Sequence, residues 1–75
     1  MSPLTALEPG TLARLTSLGG DRSFQRRLME LGFLPGTPLS VVRRVPLGGV
    51  LELELRRSRV TLRMSEADAV RVTVA

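Results

Sequence analysis

Residues 27–36 of the chain are Arg-Leu-Met-Glu-Leu-Gly-Phe-Leu-Pro-Gly. The first half of this stretch has the apolar spacing of a helix, Gly32 is a typical helix stop, and Pro35-Gly36 is typical of a tight turn. No other segment has a clear helical period over several turns, and the residues that follow alternate as strands do. The stretch therefore ends the main helix of the chain, and we expect function to be concentrated around it.

The helix is predicted from about residue 21 to residue 31. Asp21 is a good N-cap because its side-chain oxygen can accept from the backbone N–H groups two or three residues later. Three apolar residues recur on one face, and we expect them to pack in the core: Phe24, Leu28 and Leu31. Met29 falls off this stripe, so it is either a peripheral filler or an exposed contact for a partner.

The stretch divides into two sets of residues with different expected roles. The first set seats the helix and turns the chain into the next strand: Leu28, Leu31, Gly32, Pro35 and Gly36. The second set remains for a partner protein to contact: Arg26, Arg27, Met29, Phe33 and Leu34. Phe33 and Leu34 form a short elbow between the helix and the turn. They belong to the second set because the elbow has limited room to bury both side chains.

Length and composition place the chain among small globular proteins. Its 75 residues suit a single domain spanning 1–75, and no apolar run approaches the ~20 residues of a membrane span. The sequence has no cysteine and no histidine, which excludes disulfides, thiolate or imidazole metal sites, and Cys or Ser–His nucleophiles. No signal-peptide pattern begins the chain, so we expect a cytoplasmic location and no direct membrane insertion.

The net charge is +4, and all 11 basic residues are arginine. This balance suits a nucleic acid, an anionic lipid surface or an acidic protein surface, and a nucleic-acid complex would weaken steeply with salt. However, the only aromatic residues are Phe24 and Phe33, so stacking on bases has little to use. We therefore expect no nucleic-acid partner and keep a basic nucleic-acid-binding barrel as the alternative.

Most of the remaining chain has strand patterns. Thr11–Leu18 fits a helix or a strand, but its shortness and the flanking glycines favour a strand. Leu39–Val45 is a strand whose doubled Val-Val and Arg-Arg pairs indicate a bulge. Val70–Val74 alternates cleanly and is predicted as the last strand.

A hairpin with Arg57-Ser58 at its tip is predicted between two alternating segments. Its expected pairs place all apolar side chains on one face: Leu55 with Val60, Leu53 with Leu62 and Leu51 with Met64. This register also sets Glu52 opposite Arg63 as an ion pair. Only a loop of even length keeps the apolar side chains of both strands on one face, so we expect two or four residues in the loop. Because Arg-Ser is unfavourable in a two-residue type I′ turn, we expect the four-residue loop.

The predicted fold is therefore mainly β: a small SH3-like barrel of about five strands with one α-helix. A short helical turn at about 65–69 precedes the last strand, with Ser65 as its cap. A closed barrel suits a short chain because it leaves few exposed strand edges.

With these elements in place, the sequence resembles the FeoA family, small cytoplasmic proteins of bacterial ferrous-iron uptake. The resemblance covers nearly the whole chain in the same order, and the residues that carry it are Arg27-Leu28-x-Glu30-Leu31-Gly32-x-x-Pro35-Gly36, Pro46…Gly48-Gly49, Val60-x-Leu62-Arg63-x-x-Glu66-Ala67 and Val70-x-Val72. Similar domains form the C-terminal SH3-like module of iron-dependent repressors of the diphtheria-toxin-repressor type. Because this sequence has no helix-turn-helix pattern before the module, we expect a stand-alone protein.

The resemblance implies an SH3-like barrel without catalytic activity of its own. It also implies an accessory role with FeoB, the membrane iron transporter that carries a cytosolic GTPase domain. The helix and elbow are the expected docking surface. Small barrels with an exposed apolar elbow can also self-associate into a homo-oligomer.

Metal binding is implied by the superfamily and not by a ligand pattern in this sequence. No cofactor is evident from the residues, so Fe²⁺ or another divalent metal enters only through the resemblance, either as a ligand of the accessory protein or of a metal-sensing module. The acidic residues are hard oxygen donors. The weak candidates for such a site are Glu52, Glu54, Glu66 and Asp68.

Overall fold

The computed structural model describes all 75 residues. Its regular elements, in chain order, are β1 (Ser2–Pro3), β2 (Leu12–Leu18), α1 (Arg22–Glu30), β3 (Pro38–Val45), β4 (Val50–Leu55), β5 (Ser58–Arg63), α2 (Met64–Ala67) and β6 (Val70–Val74). The strands form one antiparallel sheet in the order β1-β6-β2-β3-β4-β5. The mainly-β prediction is confirmed, and the strand count is six because β1 pairs with β6.

Alternation of apolar and polar residues explains why one face of this sheet is the core. In β2, Ala13 and Leu15 are buried while Leu12 and Arg14 are exposed, as a period of two requires. The strand interpretation of this segment is confirmed. The buried apolar residues form one cluster: Leu4, Leu7, Ala13, Leu15, Leu28, Phe33, Leu39, Val41, Leu51, Leu53, Leu55, Leu62, Ala67, Val70 and Val72.

Two irregularities bend the sheet. The register between β3 and β4 shifts between Val41 and Arg43, which confirms the bulge predicted from the doubled residues. A second shift, between Leu15 and Ser17 on β2, was not predicted. Bulges increase the local twist of a strand, which helps a sheet of this size curve around its own core.

The β4–β5 hairpin has a different register from the predicted one. The observed pairs are Leu55 with Ser58, Leu53 with Val60 and Leu51 with Leu62. The loop is therefore the two-residue one, Arg56-Arg57, and Arg56 has a φ of 57°, the sign that a two-residue hairpin turn needs at its first position. Both registers put the same side chains on the core face, so alternation alone did not distinguish them.

The predicted ion pair between Glu52 and Arg63 is also wrong, because the register places Thr61 opposite Glu52. Glu52 instead forms an ion pair with Arg43 of β3. Neither helix has the length and hydrophobicity that a membrane-spanning segment requires.

Candidate functional site

The start of α1 is fixed by its cap. Asp21 Oδ1 accepts a hydrogen bond from the Phe24 backbone N–H at 2.8 Å, so the predicted N-cap is confirmed. Gln25 donates from its side chain to the carbonyl oxygen of Leu18 at 3.0 Å. The helix is thereby tied to the end of β2.

The end of α1 is a Schellman motif. The N–H of Gly32 donates to the carbonyl of Met29 and the N–H of Phe33 donates to the carbonyl of Leu28, both at 3.0 Å. Gly32 has a φ of 106°, a left-handed conformation that favours glycine. In this motif the residue after the glycine packs against the helix residue whose carbonyl it bonds, and both Phe33 and Leu28 are fully buried.

The expectation that Phe33 is exposed is therefore wrong. Its side chain is 0% exposed, whereas its neighbour Leu34 is 41% exposed. The following turn holds this arrangement, since the Thr37 N–H donates to the Leu34 carbonyl at 2.9 Å and Gly36 has a φ of 86°. The Pro35-Gly36 turn prediction is confirmed, and the signal that could have placed Phe33 in the core is Gly32 itself.

The buried face of α1 is narrower than predicted. Leu28 is fully buried and Phe24 is partly buried, but Leu31 is 48% exposed. Leu31 was expected in the core, and that expectation is wrong: Leu31 follows the last residue of α1, and the fully buried side chain after the helix is that of Phe33. Met29 is 44% exposed, so it lies outside the core, as both interpretations of its role predict.

Two grooves lie on opposite flanks of α1. The β5 groove has a volume of about 450 Å³ and is lined by Arg27, Leu31, Val50, Thr61, Leu62, Arg63 and Glu66. The β2 groove has a volume of about 250 Å³ and is lined by Leu15, Thr16, Ser17, Leu18, Gln25, Met29 and Pro35. Residues four apart share one helix flank, so Arg27 and Leu31 line one groove while Gln25 and Met29 line the other.

The structure therefore separates residues that were predicted to form a single partner surface. Arg27 lies in the β5 groove, and Met29 lies in the β2 groove. Arg26 is exposed three residues before Met29 and so neighbours it on the helix surface. Leu34 is exposed beside Pro35, which lines the same groove as Met29.

Glu66 connects the two arginines that line the β5 groove. Its Oε1 accepts from the Arg63 backbone N–H at 3.0 Å, and its Oε2 accepts from the Arg27 guanidinium. Arg63, and not Ser65, is thus the residue at the N-terminus of α2, which corrects the predicted cap. The backbone hydrogen bond from Arg63 and then the Arg27 side chain hold the pKa of Glu66 below its ordinary value of 4.5, although partial burial opposes them.

The lowered pKa of Glu66 gives a predicted pH dependence of stability. A carboxyl whose pKa is lower in the folded state stabilises the fold above its unfolded pKa, and this stabilisation disappears as the pH falls through the folded pKa. Urea unfolding between pH 6 and pH 3 is expected to show a loss of stability below about 4.5. In Glu66→Gln, the loss below that pH shrinks, and stability at pH 7 falls by about 1 kcal/mol, as for other helix N-terminal contacts.

The matched control is Glu30→Gln, because Glu30 is exposed and forms no ion pair. This variant should keep the acid dependence of the parent chain. Equal acid dependence in Glu66→Gln and the parent chain would mean that Glu66 does not contribute it.

The predicted metal ligands do not converge on one site. Glu52 is paired with Arg43, Glu54 Oε2 lies 3.9 Å from Arg59 Nε, and Asp68 Oδ1 accepts from Thr5 Oγ1 at 3.2 Å. Glu66 is held by Arg27. No group of three or more His, Cys, Asp or Glu side chains is placed to hold a metal ion.

Comparisons with known proteins place the chain among iron-uptake proteins. A family model described as the FeoA domain matches residues 2–74. The solution structure of the FeoA protein from Chlorobium tepidum is similar, with 35% sequence identity and a TM-score of 0.89, covering 96% of this chain and 69% of that chain. FeoA from Stenotrophomonas maltophilia, solved in complex with zinc and described as a procaryotic SH3 domain protein, is 35% identical with a TM-score of 0.80, covering 93% of this chain and 87% of that chain.

The repressor resemblance is confirmed at the level of the fold. A manganese-dependent transcriptional repressor matches with a TM-score of 0.91 at 20% identity, covering 99% of this chain and 41% of that chain. The predicted SH3-like architecture is likewise confirmed by its similarity to the S. maltophilia protein. Because the family model matches nearly the whole chain, the chain belongs to the FeoA family, which is associated with ferrous iron transport.

Proposed function

We propose that the chain is a cytoplasmic accessory protein of ferrous-iron uptake that binds the cytosolic GTPase domain of a FeoB-type membrane transporter and regulates it. Family membership supports the iron-transport part of this proposal. The similar protein from S. maltophilia is itself suggested to act as a ferrous iron transport activating factor.

The observation that carries the docking proposal is exposed apolar surface on α1 and the elbow. Met29 and Leu34 are 44% and 41% exposed. Large apolar side chains at the centre of a contact contribute strongly to binding, and methionine adapts well to a partner surface. We therefore place the docking surface at Arg26, Met29 and Leu34, with Phe33 removed from the predicted set.

A binding role fits the chemistry of the grooves better than catalysis does. The acid in the β5 groove is Glu66, which is held ionised by two arginines. A general acid or base needs a pKa near the working pH. The pKa of the Glu66 carboxyl is lowered and therefore lies further from neutral pH than that of an ordinary carboxyl. The β2 groove contains no titratable side chain, so we propose a protein without enzymatic activity.

The docking proposal predicts the effect of charge on this surface. Met29→Asp combined with Leu34→Asp is expected to weaken binding to the transporter's cytosolic domain by about tenfold or more, because each carboxylate must lose water at an apolar contact. The measurement is calorimetric titration of the purified cytosolic domain, without nucleotide, with GDP and with a non-hydrolysable GTP analogue.

The matched control is Leu12→Asp combined with Leu47→Asp. Both leucines are exposed, neither lines a groove beside α1, and the charge change is identical. Unchanged affinity in the folded Met29/Leu34 variant would reject this surface, and absence of binding by the parent chain under all three nucleotide conditions would reject the proposed function.

The nucleic-acid alternative loses support in the structure. Phe33 is buried, and Phe24 is partly buried. The Arg27 guanidinium covers the Phe24 ring, with Cζ 5.7 Å from the ring centroid. Neither ring is presented for stacking on a base. Self-association remains a prediction, and the molar mass of the purified chain in solution tests it.

A further inference from the structure

The last strand in the sheet order, β5, has one free edge. It pairs with β4 alone, through an uninterrupted register from Ser58 to Arg63. A free edge presents unpaired backbone N–H and C=O groups, which makes it a template for another strand. Neither a proline nor a bulge protects this edge.

The β5 groove follows this edge. Three consecutive residues of β5 line it, Thr61, Leu62 and Arg63. Because successive side chains of a strand point to opposite faces, a cavity that touches all three reaches both faces of β5. Val50 of β4, which pairs with Arg63, borders the cavity on the Arg63 face. Arg27 of α1, Leu31 at the end of α1 and Glu66 of α2 also line it. An added strand would therefore be flanked by both helices.

The apolar part of this groove comes from two side chains that the core leaves uncovered. Leu31 is 48% exposed and Val50 is partly exposed, and both line the groove. The groove volume of about 450 Å³ leaves room for an aliphatic side chain beside Leu31. Strand addition of this kind takes its affinity from backbone hydrogen bonds and its specificity from such pockets.

The charge of the groove selects for an acidic segment. Arg27 is paired with Glu66, but the Arg63 guanidinium forms no ion pair. Further along the same hairpin lie Arg56, Arg57 and Arg59, with Glu54 as the nearest acid. A second copy of β5 in this position would bring arginines together, which disfavours self-pairing.

We propose that the β5 groove binds an extended segment of a partner protein in which acidic and aliphatic residues alternate. The segment adds to the free edge of β5, places one aliphatic side chain against Leu31, and presents a carboxylate to Arg63. This inference refines the docking proposal and rests on it for the identity of the partner. It assigns a second contact surface to the flank of α1 that lies opposite Met29.

The experiment uses two synthetic probes, acetyl-Asp-Leu-Asp-Val-Asp-amide and its counterpart with Asn in place of each Asp. Each is titrated into the ¹⁵N-labelled chain at low salt, with amide shifts and hydrogen exchange as readouts. The expected result is shift changes around Leu31, Val50 and residues 61–63, together with slower exchange of β5 amides. The Asn probe should bind about threefold to tenfold more weakly, as loss of one or two exposed ion contacts implies.

Two pairs of variants locate the effect. Arg63→Glu should remove the preference for the acidic probe, whereas Arg71→Glu on β6, with the same charge change, should retain it. Leu31→Asp should abolish the shifts, and Leu12→Asp should not. Amide dispersion of each free variant verifies folding before titration.

The inference is overturned if neither probe perturbs the β5 residues at millimolar concentration, if both probes bind equally, or if the shifts cluster away from the groove. These outcomes are separate from failure of the proposed function. A chain that binds the transporter's cytosolic domain but neither probe contradicts strand addition alone. A chain that binds the acidic probe through Arg63 but not the cytosolic domain supports the groove and rejects the transporter as partner.

Discussion

Replacing Phe33 with alanine is expected to lower the free energy of unfolding by about 3–5 kcal/mol, the usual range for a fully buried phenylalanine. The side chain is 0% exposed and is the largest in the core. Small domains are stable by about 5–15 kcal/mol at most, and a chain of this size belongs near the lower end. Urea unfolding followed by circular dichroism should therefore show a midpoint close to zero denaturant.

The neighbouring residue supplies the control. Leu34→Ala removes a side chain that is 41% exposed, so its cost is expected to stay below about 1 kcal/mol. The two variants together test which residue of the elbow faces the core. A larger loss in Leu34→Ala than in Phe33→Ala would mean that the elbow is oriented the other way and that Leu34 is not available to a partner.

The backbone turns around the elbow could be predicted from the sequence, but the burial of its side chains could not. Gly32 and Pro35-Gly36 were correctly predicted as a helix stop and a turn, because glycine is suited to positive φ and proline to the second position of a turn. The error was to treat Phe33 and Leu34 as equivalent apolar residues. The Schellman bond from the Phe33 N–H to the Leu28 carbonyl assigns the first of them to the core.

The hairpin shows a different kind of limit. Alternation along β4 and β5 established that both strands have one buried face, and this was right. It did not decide between loops of two and four residues, since both preserve the faces. The ion pairs depended on that choice, so Glu52 was assigned to Arg63 when its partner is Arg43.

The candidate site was less predictable than the fold because it is assembled from distant segments. The β5 groove brings Leu31, at the end of α1, together with Arg63 and Glu66 of a distant segment, and no local pattern connects the two segments. A helical stripe predicted Leu31 as a core residue, which concealed its exposure.

Leu28→Ala is expected to lower the free energy of unfolding by about 2–5 kcal/mol. Leu28 is the one fully buried residue of α1, so the helix depends on it for attachment to the sheet. Both grooves use side chains of this helix, and binding at each should weaken with it. Amide exchange measures the effect by residue, with α1 losing protection at least as strongly as β4.

Leu31→Ala is the matched control, since it makes the same chemical change three residues later on a side chain that is 48% exposed. Its cost should remain below about 1 kcal/mol, and protection in α1 should persist. The comparison fixes the rotation of the helix on the sheet. If Leu31→Ala destabilised the chain as much as Leu28→Ala, Leu31 would face the core, and the β5 groove would lack the apolar wall that an added strand requires.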